Sequence, residues 1–222
     1  MRDSAISSAV EDYAKAIYAL ETQDAVTTTA LAQRMGVTPA SASGMVRKLC
    51  ELGLVAHEPY KGVRLSDDGR KLALEVIRHH RLLELYLAQD LGVPWDRVHD
   101  EAEVLEHVLS EELEALIAAK LGNPTHDPHG DPIPTADLQL AEQPTQRLSD
   151  LEPGDRGTFV RISDADPAML RYLAERDIAP GACFEVEDKQ PFGGPLFARF
   201  GDETQIIGGR LADAMRVQEA SR

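Results

Sequence analysis

The sequence predicts a multidomain α+β protein: a helix-turn-helix head with a hairpin wing, a helical middle and a small all-β carboxy-terminal domain. Three observations predict it. Apolar residues recur every three or four positions from residue 8 to about 121, broken once by a short strand, turn and strand. Pro, Gly, Asp and His then crowd residues 122–147 with little periodicity. From 148 onward, short apolar runs alternate with turn residues, the pattern of a small β-barrel. The expected domains are therefore 1–72, 73–121 and 148–222, with 122–147 as a linker.

In chain order, Ser8 and Glu11 have capping-box spacing ahead of Val10, Ala14, Ile17 and Leu20. That spacing predicts an amphipathic helix with Glu11, Asp12 and Lys15 on or near its polar side. Residues 28–35 form a second helix, Gly36 a turn, and residues 39–52 a third. Thr38 suits the N-cap of that third helix, Pro39 its first position and Gly53 the position past its end. Two short helices joined at a glycine turn make a helix-turn-helix. Residues 54–58 and 63–65 flank a turn carrying Lys61, with Arg64 on the return strand, and form the wing.

Recognition is expected through the exposed side of the third helix, with Thr38, Pro39, Ala40, Ser41, Gly44, Arg47 and Lys48 lying opposite Ala42, Val46, Leu49 and Cys50. Small side chains dominate its first turn. Base reading should then lean on thymine methyls, hydroxyls and DNA shape, with Arg47, Lys48, Lys61 and Arg64 as phosphate contacts.

Ser66 is placed to cap a long helix reaching about Gln89, on which His80 and Glu84 share a face. After the break at Gly92–Trp95, a second helix is expected from about residue 95–98 to Leu116. On it His99, Glu103, Glu106 and His107 fall within one arc roughly 100° wide. Val104, Leu105, Val108, Leu109, Leu113 and Leu116 take the other side, for packing. A solvated polar face would show the same arc. Carboxylate and imidazole at this spacing also suit a hard or borderline divalent cation, and the local pattern leaves both readings open. In the linker, His126 and His129 read as solvated turn residues. In the barrel, a helix from Pro167 to Arg176 follows Asp164 and Asp166, which locally read as caps.

The chain carries a net charge of −15, unevenly spread. Residues 1–72 hold nine basic and nine acidic side chains, so the whole excess lies in residues 73–222. A neutral head able to meet a duplex on an acidic body that needs a cation is consistent with this. The two cysteines, Cys50 and Cys183, form no metal-knuckle motif and read as small core residues in a reducing compartment. No apolar run of membrane-spanning length and no leader pattern is present, so a cytoplasmic protein without membrane contact is expected. Neither a nucleophile elbow nor a phosphate-binding glycine loop occurs.

The order of these pieces, with His80-x-x-x-Glu84, Val98-His-Asp-Glu-Ala102, Glu106-His107 and His129-Gly-Asp-Pro-Ile-Pro134, resembles the diphtheria-toxin-repressor family of iron- or manganese-dependent transcriptional regulators. The resemblance covers nearly the whole chain. It implies a winged helix, a helical dimerisation and metal-binding region, and an SH3-like carboxy-terminal domain. It further implies a homodimer that binds double-stranded operator DNA when metal-loaded, as a repressor of metal-uptake genes. The implied primary site is Asp12, Glu103, Glu106 and His107; the implied ancillary site is His80, Glu84, His99 and Asp166. Iron-type members place sulfur ligands where this chain has Asp12 and Glu103, so Mn2+ is the expected ion and Fe2+ the alternative. Lys15 stands where one compact manganese group has a Glu, which favours two separated sites. Two other readings stay open at this point: a metal-dependent hydrolase, and a winged-helix regulator sensing a small organic ligand.

Overall fold

A computed structural model of the chain describes residues 6–21, 25–58, 62–141 and 143–220. They form two compact units: residues up to 80 with 104–114 and 134–139, and residues 81–103, 115–133 and 140 onward.

The first unit begins with α1 (Ser8–Leu20), α2 (Thr28–Arg34) and α3 (Pro39–Glu51). Ser7 is the N-cap of α1 and makes no side-chain capping bond, so the capping box expected at Ser8 does not form. Thr38 caps α3, accepting from Ser41 N at 3.2 Å, with Pro39 in its first turn. Gly36 at φ 64° turns the chain between α2 and α3, a conformation costly for any residue with a Cβ. Val10, Ile17, Leu31, Val46, Leu49 and Val63 are all buried in one core, which rests the outward side of α3 on a packed base. The wing strands β1 (Val55–Glu58) and β2 (Gly62–Leu65) pair antiparallel, Val55 opposite Leu65. Lys61 lies outside the described residues.

The long helix α4 (Asp67–Leu91) starts as expected, with Ser66 Oγ accepting from Gly69 N at 3.0 Å. A Cβ on Gly69 would stand 2.0 Å from Leu54 O, so the wing seats on this helix only because the residue is glycine.

The single helix expected through Leu116 is two. Helix α5 (Val98–Leu105) ends in a turn at 106–108, and α6 (Glu111–Lys120) begins anew. Ser110 Oγ accepts from Leu113 N at 3.2 Å, and Glu111 and Glu112 stand in the first turn of α6. A cap followed by acids opens a helix and so closes the one before it. The side expected to pack also differs. Leu109 is buried, but Val104 is 71% exposed, Val108 76% and Leu113 48% in the first unit, and Leu116 is 61% exposed in the second.

The second unit holds an antiparallel six-stranded sheet in the order β3-β8-β4-β5-β6-β7, with β3 (Gln146–Arg147), β4 (Arg156–Ile162), β5 (Cys183–Lys189), β6 (Leu196–Phe200), β7 (Glu203–Ile207) and β8 (Met215–Glu219). Phe159, Ile162, Leu196, Ile207 and Val217 pack in its core with Leu170 and Leu173 of α7 (Pro167–Ala174). A second helix, α8 (Gly209–Ala214), stands between β7 and β8, where the sequence pattern predicts only short strands and turns. Cys50 is half-buried against the first core, whereas Cys183 is exposed on β5 and is no core residue.

The expected linker is not a loose connector. Ile162 N donates to His129 O at 3.0 Å, and a Cβ on Gly130 would lie 1.8 Å from Val160 O, so the chain at 129–130 lies directly on β4. His126 is exposed as expected, but His129 is only 1% exposed.

Candidate metal centres

Within the first unit, α1 and the 106–107 turn bring together Asp12, Glu106 and His107, whose ligand atoms lie within 4.8 Å of one another. His107 Nε2 is 2.9 Å from Asp12 Oδ1 and 3.7 Å from Glu106 Oε1. Its other nitrogen, Nδ1, is 2.5 Å from Glu11 Oε2. Glu106 is fully buried. Lys15 Nζ donates to its two oxygens at 2.7 and 3.0 Å, and His80 Nδ1 lies 2.5 Å from Oε2. Below this, His79 Nε2 is 3.0 Å from Glu114 Oε2 and its Nδ1 3.3 Å from the Glu106 carbonyl, while Arg78 donates to Glu114 at 2.6 Å and to Pro134 O. Two imidazoles of α4, His79 and His80, thus hold Glu106 of the turn, while Arg78 and His79 hold Glu114 of α6. The Glu114 carboxyl is held below its usual range: burial pushes it up, and the bonds from His79 and Arg78 outweigh that.

The sequence pairs His80 with Glu84 on one helix face, and the family resemblance adds His99 and Asp166. His80 and Glu84 stand one turn apart on α4 as expected, yet a close partner of His80 is Glu106. Glu103 lies one turn before His107 along the chain, with His99 Nε2 3.8 Å from its Oε1. Glu11 and Lys15 were assigned to a polar face. Glu11 is 3% exposed, and the signal was available: it precedes Ala14 by three residues, which turns it only ~60° from that buried position.

The second unit carries another cluster. His99 Nδ1 is 2.8 Å from Asp164 Oδ2 and 3.4 Å from Glu84 Oε1. Glu84 is 1% exposed, and His129 Nδ1 approaches its Oε2 at 3.7 Å. His129 Nε2 lies 2.7 Å from the Trp95 carbonyl, and the ring stacks on Trp95 with centroids 5.8 Å apart. With Nε2 turned to that carbonyl, Nδ1 is the nitrogen facing Glu84, and it is free to take a cation once its proton is displaced. A histidine held by its far nitrogen in this way is prepared for a cation at the near one. Ligand atoms of Glu84, Asp127 and His129 also lie within 4.8 Å of one another.

Here the acid named from the sequence is corrected. Asp166 Oδ1 accepts from Ala168 N at 3.1 Å as the N-cap of α7, and its Oδ2 faces Arg210 at 3.6 Å. Asp164, two residues earlier, is the acid that meets His99. The dipeptide Asp166-Pro167 was itself an N-cap and first-turn signature.

The protonation equilibria register this crowding. His99 is pushed up to about 10, first by its hydrogen bond with Asp164 and then by Glu84, against burial. Burial lowers His129, but the bond and charge of Glu84 with the charge of Asp127 outweigh it and raise the ring to about 9. Burial raises Asp127 to about 8, helped by Asp131 and Glu84. Acids and imidazoles this close hold protons that a cation would displace. Oxygen donors joined by few imidazoles and no thiolate are the donor set of a hard or borderline divalent ion, so the residues fit a metal in both clusters.

Of the residues expected to meet DNA, Thr38, Pro39, Ala40, Ser41, Gly44, Arg47 and Lys48 are all exposed on or beside α3. Arg64 is half-exposed, with Glu21 at 3.6 Å.

A winged helix-turn-helix joined to buried acid–imidazole clusters and a small β-sheet domain defines a metal-dependent DNA-binding regulator. Residues 5–63 match the iron dependent repressor N-terminal DNA binding domain, 66–135 the iron dependent repressor metal binding and dimerisation domain, and 146–219 the FeoA domain. The chain is 31% identical to the iron-dependent repressor IdeR of Mycobacterium bovis, over 94% of this chain and 96% of that one. It is 32% identical to the diphtheria toxin repressor of Corynebacterium diphtheriae, again over 94% and 96%. Among solved structures, a manganese-dependent transcriptional repressor in complex with manganese is similar with a TM-score of 0.86 and 45% identity, over 95% of this chain and all of that one. The manganese regulator SloR follows with a TM-score of 0.73 and 27% identity, over 95% and 98%. The chain belongs to the iron- and manganese-dependent repressor family. That family is one of DNA-binding transcriptional repressors, not of enzymes, which removes the hydrolase reading. No helix among the described residues is long and apolar enough to cross a membrane.

Proposed function

We propose that this chain is a manganese-responsive repressor of metal-uptake genes that binds operator DNA as a homodimer, with Fe2+ as the alternative ion. The observation that carries the reading is the Asp12, Glu106 and His107 cluster, built around the buried Glu106, in which α1 of the winged helix meets the 106–107 turn. Glu103, one turn before His107 along the chain, is assigned to the primary set by the family motif. The ancillary set is Glu84, His99 and Asp164 of the second unit, with Asp127 and His129 beside Glu84; His80 belongs to it by the family motif alone. When bound, the metal supplies positive charge and fixed geometry to carboxylates that otherwise repel one another.

The protein's own residues do the rest. Asp12 sits near the start of the helix leading into the DNA-binding head, so tying it to Glu106 and His107 orders α1 and favours the head arrangement suited to DNA. The shift is limited by the ion's differential affinity for the two arrangements. Exposed Val104, Val108 and Leu113 supply an apolar surface for a second copy. On α3, Ser41 and Gly44 let the backbone approach the base edges, while Arg47, Lys48, Lys61 and Arg64 neutralise phosphate.

Elemental analysis of natively purified protein, combined with DNA shift assays across Mn2+, Fe2+ and Zn2+, tests this. Mn2+ should be retained and should tighten DNA binding. DNA binding that is no weaker after exhaustive chelation overturns the reading.

A further inference from the structure

Glu11 is a carboxylate in an apolar place. It shares the inward side of α1 with Val10, Ala14 and Ile17, and its side chain is 4% exposed. An ionised carboxylate is costly to bury unless a donor meets it. His107 Nδ1, 2.5 Å from Oε2, is such a donor. The consequence falls on the far side of the ring. With Nδ1–H given to Glu11, the Nε2 lone pair is turned into the gap where Asp12 Oδ1 stands at 2.9 Å and Glu106 Oε1 at 3.7 Å. The opposite tautomer would give its N–H to Asp12, whose side chain is 33% exposed, and leave the far more buried Glu11 oxygen facing a bare nitrogen.

We infer that Glu11 is a positioning residue, not a ligand: it holds His107 in the Nδ1–H tautomer and aims Nε2 at the cation site formed with Asp12 and Glu106. The inference rests on the reading of His107 as a ligand. Lys15 plays a different part, since its ammonium lies on Glu106 and not on the ring.

The test uses full-length protein labelled with 15N at histidine, together with Glu11→Gln, Glu11→Leu and His107→Asn. Long-range proton–nitrogen spectra of the metal-free protein, at a pH where the ring is neutral, read which nitrogen carries the proton. Mn2+ affinity is read by competition with a chelator, and folding by circular dichroism. In the parent, His107 should carry its proton on Nδ1. Glu11→Leu should lose that preference and bind Mn2+ about 10–100-fold more weakly, the usual effect of removing an outer partner of a ligating histidine. Glu11→Gln, which keeps a carbonyl acceptor, should recover most of both. A parent ring protonated on Nε2 overturns the inference without any variant, as does a folded Glu11→Leu protein with parental Mn2+ affinity. Equal Mn2+ binding by the parent and His107→Asn refutes the ligand reading instead, and so separates the two failures.

Discussion

Replacing Asp164 with Asn and Asp166 with Ala should separate two acids that sequence alone confuses. Asp164 pairs with His99 at 2.8 Å and is the largest cause of that imidazole's rise from 6.5 to about 10. A folded-state value above the unfolded one means that the pair's stabilisation is fully present below pH 6.5. It is lost as the pH climbs through 10. Nominally the rise corresponds to about 5 kcal/mol. With 39% of the His99 side chain exposed, screening reduces it to about 1–2 kcal/mol. Asp164→Asn should therefore cost the metal-free protein about 1 kcal/mol at pH 6 and almost nothing near pH 10.5. Asp166→Ala should cost about 1 kcal/mol at both pH values, because a helix cap depends on an acceptor oxygen and not on His99. The chain's single tryptophan, Trp95, packs against the core of the second unit, so its fluorescence in urea titrations of chelator-treated protein reports the loss. Metal retention adds a second readout, with Asp164→Asn weakening the ancillary site and Asp166→Ala leaving it intact. Equal pH dependence of the two variants would refute the assignment of Asp164 to His99.

Three further outcomes are expected. Glu103→Cys should lower the manganese response of DNA binding while keeping or improving activation by Fe2+ under anaerobic conditions, since a thiolate moves the donor set toward softer ions; an undiminished manganese response would take Glu103 out of the primary site. Arg47→Ala should weaken binding across all sequences and lower the log–log salt slope by about 0.9, the share of one phosphate contact, whereas altered sequence preference at an unchanged slope would contradict that role. Val108→Glu should weaken self-association by about two orders of magnitude, because an apolar interface would then have to bury an unpaired charge; unchanged sedimentation of the variant would place the dimer contact elsewhere.

Much of the fold was legible because its signals are local. Thr38, Pro39 and Gly53 mark the ends of α3, Ser66 marks the start of α4, and each works through a bond or backbone angle within a few residues of itself. Asp12, Glu106 and His107 were readable as a set only through the family's motif order, since they lie almost a hundred residues apart. What the tertiary structure decided is everything that depends on a distant partner. Periodicity measures the angle between side chains and not what faces them, so it could not say that Val104 and Val108 would stand exposed while Glu106 would be buried. Composition could not show that His129 would be sealed beneath Trp95, because turn-rich chain is ordered or loose according to the surface it meets. Between Asp164 and Asp166, two residues apart with the same carboxylate, the choice was made by a helix terminus claiming one and an imidazole from α5 claiming the other.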